Sequence, residues 1–372
     1  MKKTDKLNTL IPLDQIEKGA LEQIFENLAD ERLLKMAIMP DVHKGYDLPI
    51  GGVALVDRHV SPSYVGYDIG CGMCAINTGI QATELFPDQR SKQELFSRIL
   101  KQIPVGLGGR RDKAPFPAFE SEVNDPAFVG RVNKGVQTQI GTLGSGNHFI
   151  EISNGSDGLC WITIHSGSRN VGHTVGSWYM QKTKKLNDKF LSIESRLGQL
   201  YLNDMDYCLE FALENRRRMI TDLLRIMEIS DHEIKRLLKD VMINENHNHA
   251  IVRSDGTVLH RKGATPADKG QLGIIPANMR DGIYMTEGLG NETYLSSASH
   301  GAGRVMSRKE ANRTIRLDDF KKTMQGIIAR VDKGTIDEAP FAYKEIHKVI
   351  AAQEGIVIKV LNYLQPLINI KG

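Results

Sequence analysis

Residues 299–304 read Ser299-His300-Gly301-Ala302-Gly303-Arg304, which puts one imidazole and one guanidinium on backbone otherwise almost bare of side chains. Small residues let a phosphate approach the main chain, and an imidazole is both neutral and nucleophilic near pH 7. The Arg304 fork can grip the same phosphate through two parallel hydrogen bonds. The competing reading is a glycine-bearing turn with a surface histidine, so the rest of the chain has to decide.

Three more histidines stand in similar company. Gly141-Thr142-Leu143-Gly144-Ser145-Gly146-Asn147-His148 is a glycine-rich run ahead of a strand, whereas a P-loop precedes a helix. His165 follows the apolar Trp161-Ile162-Thr163-Ile164, and His247 sits in Glu245-Asn246-His247-Asn248-His249. Asp68 and Cys71 lie in Gly66-Tyr67-Asp68-Ile69-Gly70-Cys71-Gly72-Met73-Cys74, where the glycines oppose a helix. Either Cys71 and Cys74 form a Cys-x-x-Cys half-site, or Asp68 and Cys71 are ligands and Cys74 is packing. Cys160 and Cys208 are too far apart in sequence to complete a zinc ribbon, and the redox version lacks its helix. One carboxylate, one thiolate and three imidazoles hold two divalent ions if the thiolate bridges them, which leaves His300 for chemistry. Two neighbouring metals suit phosphoryl transfer, where charge on the equatorial oxygens must be neutralised.

The elements that must position these groups follow from periodicity. Asp14 can cap a helix carrying Leu21, Ile24, Phe25 and Leu28 on one face. Met36 to Met39 reads as a short buried strand ending at Pro40, with Asp41-Val42-His43 at its end, and Gly51 to Val56 reads as a second strand. Residues 104–119 combine Gly, Pro and Arg, including Arg110 and Arg111, without periodicity, as a long loop does. Strands are expected at Phe149 to Ile152, at Trp161 to Ile164 and at Ala250 to Arg253, the last turning through Asp255-Gly256 to Val258-Leu259-His260. From Trp178 to about Leu238 the pattern is helical, with Gly198 at the joint. Arg216, Arg217 and Arg218 read as a solvated face or an RNA-facing patch. Pro276 to the Gly288 region looks loop-like, and helices are expected from Leu317 to Asp332 and from Phe341 to Gln353.

At 372 residues, with 41% hydrophobic and 25% charged residues, the chain has the composition of an ordinary globular protein with a sizeable core. A net charge of +3 permits nucleic-acid binding without indicating it. Four cysteines are too few for a disulfide framework, and no segment resembles a signal-peptide core or a membrane span, which points to the cytoplasm. Without repeats or a clear linker, the expectation is one α+β domain over residues 1–372, with mixed and antiparallel sheets, flanking helices and a mostly helical insertion at 178–240.

Taken together, several motifs make the chain resemble the RtcB family of RNA-splicing ligases. They are Met39-Pro40-Asp41-Val42-His43, Gly66 to Gly72, Gly144 to Glu151, His165-Ser166-Gly167-Ser168-Arg169, His260-Arg261-Lys262-Gly263-Ala264-Thr265 and His300 to Arg304. The resemblance implies a ligase dependent on GTP and Mn²⁺ that joins an RNA 3'-phosphate or 2',3'-cyclic phosphate end to a 5'-hydroxyl. It implies two Mn²⁺ ions per chain bridged by Cys71, with His148 and His165 completing one site and Asp68 and His247 the other. It makes His300 the residue that is guanylylated. Guanylate contacts are implied at Asn147, His148, Phe149, Ile150 and Glu151, and at His247 and Asn248. They continue at Pro276, Ala277, Asn278 and Met279, at His300, Gly301, Ala302, Gly303 and Arg304, and at Lys371. The chain departs from the family where Pro276-Ala277-Asn278-Met279-Arg280 replaces the usual Pro-Gly-Ser-Met-Gly and where Ile283 replaces a serine.

The chemistry of the residues agrees with these roles. A phosphate end has no leaving group until it is capped, and a phosphoramidate on histidine passes its phosphoryl group on readily. The Lys-x-Asp-Gly signature of lysine-dependent ligases is absent from the sequence. Two other functions fit the metal-ligand residues alone: a metal-dependent cyclic phosphodiesterase, and a non-catalytic sensor of RNA ends.

Overall fold

Two sheets carry the residues of interest in the computed structural model, which describes residues 3–110 and 115–372. Lys2 and Arg111 lie outside the described residues. The first sheet has five strands in the order Leu7–Thr9, Leu33–His43, Ile50–Asp57, Thr257–Lys262 and Asn248–Val252. Its first pair is parallel and the others are antiparallel. The second sheet runs Leu272–Pro276, Ile283–Gly288, Ile358–Lys371, Phe149–Gly155, Leu159–Ser166, Gly72–Gln81 and Ile243–Asn246, with the two-residue strand Ile328–Ala329 added alongside Ile358–Lys371. Sheets of this kind with helices packed beside them make the fold α+β. Among the described residues, no helix is long and apolar enough to cross a membrane.

The 31-residue helix Arg196–Ile226 is the element on which the rest is packed. Its buried positions Tyr201, Met205, Cys208, Phe211, Met219 and Leu223 recur at helical spacing and serve two cores. One core lies against the second sheet and the helices Gln89–Gln102 and Asp231–Asp240, and the other against Pro126–Gln139 and Arg169–Leu186. Cys74 and Cys160 are packing in the first of these cores.

Several local expectations need correcting. The strand Leu33–His43 runs through Pro40 instead of stopping there. Its pairing with Ile50–Asp57 is broken between Ile38 and His43, so the missing N–H costs no ladder bond. Asp14 caps no helix: it sits in the 3-10 turn Leu13–Gln15, the helix Lys18–Leu28 starts after Glu17, and Phe25 is 51% exposed. The helical stretch begins at Arg169 and is interrupted by the short strand Leu191–Ser192. Gly198 lies inside the long helix, where a side chain would collide with the Ser192 carbonyl; the break precedes Ser195, whose hydroxyl caps the helix. Residues 277–282 are a loop as expected, but it is the connection of a hairpin between Leu272–Pro276 and Ile283–Gly288, so the Gly288 region is strand. The two late helices shrink to Leu317–Thr323 and Ile346–Ala351, and the strand Ile358–Lys371 had no counterpart in the expected elements.

Candidate active site

Four segments converge on one buried cluster. The turn between the helix Pro62–Val65 and the strand Gly72–Gln81 supplies Asp68 and Cys71, and the Asp68 carbonyl accepts from the Cys71 amide at 3.1 Å. His148 ends the glycine-rich loop, His165 lies near the end of Leu159–Ser166, and His247 joins Ile243–Asn246 to Asn248–Val252. Gly72 pairs with Ser166 on one side and Asn246 on the other, so the register brings His165, which is opposite Met73, and His247 to the end of the sheet where Cys71 lies. The His247 amide donates to the Cys71 carbonyl at 2.8 Å.

The donor atoms form two triads that share the Cys71 sulfur, Cys71–His165–His247 and Asp68–Cys71–His148, with every atom of a triad within 4.8 Å of the others. Cys71 Sγ is 3.1 Å from His165 Nε2 and 3.5 Å from His148 Nε2. His165 Nε2 is 3.3 Å from His247 Nε2, and His148 Nε2 is 3.1 Å from Asp68 Oδ2. The five residues are those expected, but their partition is not: His247 belongs with His165, and His148 with Asp68.

Neighbouring carbonyls prepare the imidazoles as ligands. His165 Nδ1 faces the Asn147 oxygen at 3.2 Å, which puts its proton on Nδ1 and its lone pair on Nε2; His148 Nδ1 faces the Leu143 oxygen at 3.0 Å while its Nε2 faces Asp68. Arg169 Nη1 lies 3.3 Å from His148 Nδ1 beside this bond. Burial holds His165 and His247 well below the usual imidazole range, so both are neutral. Burial pushes Asp68 up, but the His148 hydrogen bond and the charge of Arg169 outweigh it and keep the carboxylate ionised. Burial and the Asp68 charge push the Cys71 thiol far up, so its ionisation needs a cation beside the sulfur. Neutral imidazole lone pairs 3.3 Å apart, a thiol and a carboxylate are a donor set that two divalent cations would complete.

His300 stands next to this cluster. Its ring packs edge-on against His247 with centroids 4.8 Å apart, and its Nδ1 is 2.7 Å from Oδ2 of the fully buried Asp41. That bond fixes the proton on Nδ1 and leaves the lone pair on Nε2. Asp41 was legible only as a polar residue at a strand end; its partnership with His300 joins residues far apart in sequence.

A cavity opens between His300 and the second sheet, lined by Asn147, Phe149, Glu151, Pro276, Ala277 and Asn278, by His300 to Arg304, and by Lys371. His43, from the strand-end motif Asp41-Val42-His43, also lines it, as do Arg308, Tyr343 and Asn369, which no sequence signal had marked. Buried Glu338 ties one wall together, accepting from Lys371 Nζ at 3.0 Å, from Arg308 and from the Tyr343 hydroxyl at 2.5 Å. Burial pushes Glu151 up to about 7, against hydrogen bonds from Ser153 and Asn369.

Five expected guanylate contacts do not line this cavity: Ile150, Met279 and Asn248, and with them His148 and His247, which belong to the cluster. Ile150 follows the strand alternation into the core, and Met279 packs with Phe320 and Met324. Asn248 bridges the Asp68 carbonyl and the Gly263 amide instead. His148 and Asp68 line a second cavity with Tyr67, Arg169, Asn170 and His173, and Asn147 borders both. At the family departure, Asn278 binds the Asp281 carboxylate and Arg280 clamps the same group.

Arg216 is neither solvated nor part of an RNA-facing patch. It is fully buried behind the cluster, while Arg217 and Arg218 pair with Glu214. The signal was available: Arg216 falls on the apolar stripe of its helix, and its two neighbours fall off it.

A buried set of soft and hard donors that could bind metal, beside an oriented imidazole, is suited to metal-assisted phosphoryl transfer. The comparisons with known proteins narrow the class. Residues 26–126 and 120–372 match the family described as tRNA-splicing ligase RtcB. The RNA-splicing ligase RtcB of Escherichia coli (strain K12) is 33% identical over 391 aligned positions, covering 96% of this chain and 95% of the relative. The tRNA-splicing ligase RtcB of Thermococcus kodakarensis is 29% identical over 454 positions, covering 94% and 93%. RNA-splicing ligase RtcB homolog 1 of Entamoeba dispar is 29% identical over 421 positions, covering 90% and 78%. The chain belongs to the RtcB family.

Proposed function

We propose that this RtcB-family protein is an RNA ligase that uses GTP and Mn²⁺ to join 3'-phosphate or 2',3'-cyclic phosphate ends to 5'-hydroxyl ends. Membership of a family of RNA-splicing ligases supports the ligase activity. The observation that carries the finer reading is the placement of His300, oriented by Asp41 at 2.7 Å and packed against His247.

Cys71, His165 and His247 would hold one Mn²⁺, and Asp68, Cys71 and His148 the other; the ions would neutralise phosphate charge. His300 Nε2 attacks the α-phosphorus of GTP, the P–N bond forms, and pyrophosphate leaves. Asp41 stabilises the positive charge that develops on the ring, as an orienting carboxylate does in a catalytic triad. Asn147, Glu151 and Lys371 line the cavity in which guanylate is proposed to sit. An oxygen of the RNA 3'-phosphate then displaces His300, and the 5'-hydroxyl displaces GMP to form the phosphodiester. A cyclic end is first opened by water. Arg169 and Asn170, in the second cavity, are suited to receive the RNA phosphate.

Incubation with GTP labelled at the α-phosphate tests this reading. The native protein is expected to retain an acid-labile, alkali-stable label with Mn²⁺ present, and His300→Ala to retain none while keeping its metal content and RNA binding. Label surviving in His300→Ala overturns the assignment of the nucleophile. Cyclic-phosphate cleavage without any labelling of native protein makes it a phosphodiesterase, and RNA binding without turnover makes it a sensor.

A further inference from the structure

Arg216 makes four hydrogen bonds, and three of them end one residue away from a proposed metal ligand. Nη1 donates to the Gly70 carbonyl at 2.9 Å, next to Cys71, and to the Ser166 carbonyl at 2.8 Å, next to His165. Nη2 donates to Asn246 Oδ1 at 2.7 Å, next to His247, and Nε donates to Asn244 Oδ1 at 2.6 Å on the same strand. All four acceptors are neutral oxygens, so the guanidinium spends its geometry on positions and not on an internal ion pair. Gly72 makes room for it: a Cβ there would lie 2.9 Å from Nη1 and would collide with the Glu245 carbonyl. The glycine on each side of Cys71 thus lies at the fork, one as an acceptor and one as a gap.

Asn215 extends the grip to the remaining ligands. Its Oδ1 accepts from the Thr142 amide at 3.0 Å, and its Nδ2 lies 3.1 Å from the Thr142 carbonyl, 3.2 Å from Ser166 Oγ and 3.2 Å from the Gly167 carbonyl. Ser166 Oγ donates at 2.7 Å to the Leu143 carbonyl, which His148 Nδ1 also engages. Gly167 lies directly against Asp68. Two consecutive side chains, both fully buried on one rigid helix, therefore touch the supports of every donor in the cluster.

We propose that Arg216, seconded by Asn215, is the positioning residue that sets the spacing of the thiolate and imidazoles, and through it the occupancy of both metal sites. The inference rests on the two-metal reading above. An apolar side chain would fill the same space, and buried charges are often replaceable without loss of stability. What only the planar fork supplies is simultaneous registration of three separate segments.

The test compares Arg216→Lys and Arg216→Met with the native chain and with Arg217→Ala as a surface control. Melting of the chelator-treated proteins reports folding, titration with Mn²⁺ reports affinity and stoichiometry, and the thiolate-to-metal absorption of the Co²⁺-loaded proteins reports ligand geometry. The expected result is weakening of Mn²⁺ binding by about 10–100-fold in both Arg216 variants, as for other supports of metal ligands, with an altered Co²⁺ spectrum and near-native apo melting. Lysine is expected to fare no better than methionine, because charge without the fork does not register the segments. Two Mn²⁺ bound within twofold of native affinity in both variants overturns the inference. Should neither variant fold, Asn246→Ala decides: it removes one acceptor, and native Mn²⁺ affinity in it also overturns the inference. A native chain that binds neither Mn²⁺ nor Co²⁺ refutes the parent reading instead.

Discussion

His300 owes its proposed role to a single buried oxygen. Asp41→Asn preserves the shape of that contact but removes its charge, and the amide can present an N–H to Nδ1 and drive the imidazole into the wrong tautomer. The expected outcome is a fall of about 10²–10⁴-fold in the single-turnover rate of α-phosphate labelling, by analogy with a triad carboxylate, with Mn²⁺ stoichiometry unchanged. Equal loss of metal and of labelling would show Asp41 to be structural. At this scale the sequence was informative about ligand types, since Asp68, Cys71, His148, His165 and His247 all meet. The grouping of the donors that the resemblance implied did not hold, because it depends on ring orientations set by the Leu143 and Asn147 carbonyls.

Elements meet at Gly303. Its φ of 75° is left-handed, and a Cβ at this position would run into the Asp41 carbonyl of the strand Leu33–His43. Gly303→Ala is therefore expected to lose about 1–3 kcal/mol of stability through backbone strain. It is also expected to lose about 10²-fold or more in labelling rate by shifting Asp41 away from His300. Thermal melting and the labelling assay together check this, and native values in both would show that the two segments are not in close contact. Strands that deliver ligands were readable where apolar runs end at a histidine, as at Trp161 to His165. Elsewhere tertiary context overrode local pattern. Pro40 sits where the ladder is already broken, and Gly288 ends a hairpin strand, whereas Gly282 does lie in the connecting loop. The Arg216 run was misread because a charge count ignores helical phase.

Across the whole molecule, the helical core carries a buried polar knot that the site does not use. Asp204 is 3% exposed and accepts from the Tyr179 hydroxyl at 2.6 Å and from Ser121 Oγ at 3.0 Å. Burial pushes it from 3.8 up to about 6, against those two hydrogen bonds. The native state thus binds this proton more tightly than the unfolded chain. Its contribution is fully present below about pH 4 and is lost as pH rises through about 6. Asp204→Asn cannot ionise, so its stability relative to native protein is expected to improve by on the order of 2–3 kcal/mol between pH 4 and pH 7. Denaturant melts at the two pH values check the sign, and a pH-independent difference contradicts it.

The strand Ile358–Lys371 lies between Ile283–Gly288 and Phe149–Gly155, joining pieces of sheet that have no other strand between them. Until it docks, a folding chain shows two unpaired edges and lacks the part of the cavity wall that Asn369 and Lys371 supply, with Lys371 and its partner Glu338 unmet. Completing the pocket is thus coupled to closing a long-range β-pairing, a slow class of folding event. The cavity would be completed in the same late step that hides the aggregation-prone edges, so newly made protein gains its pocket and the cover of its edges together.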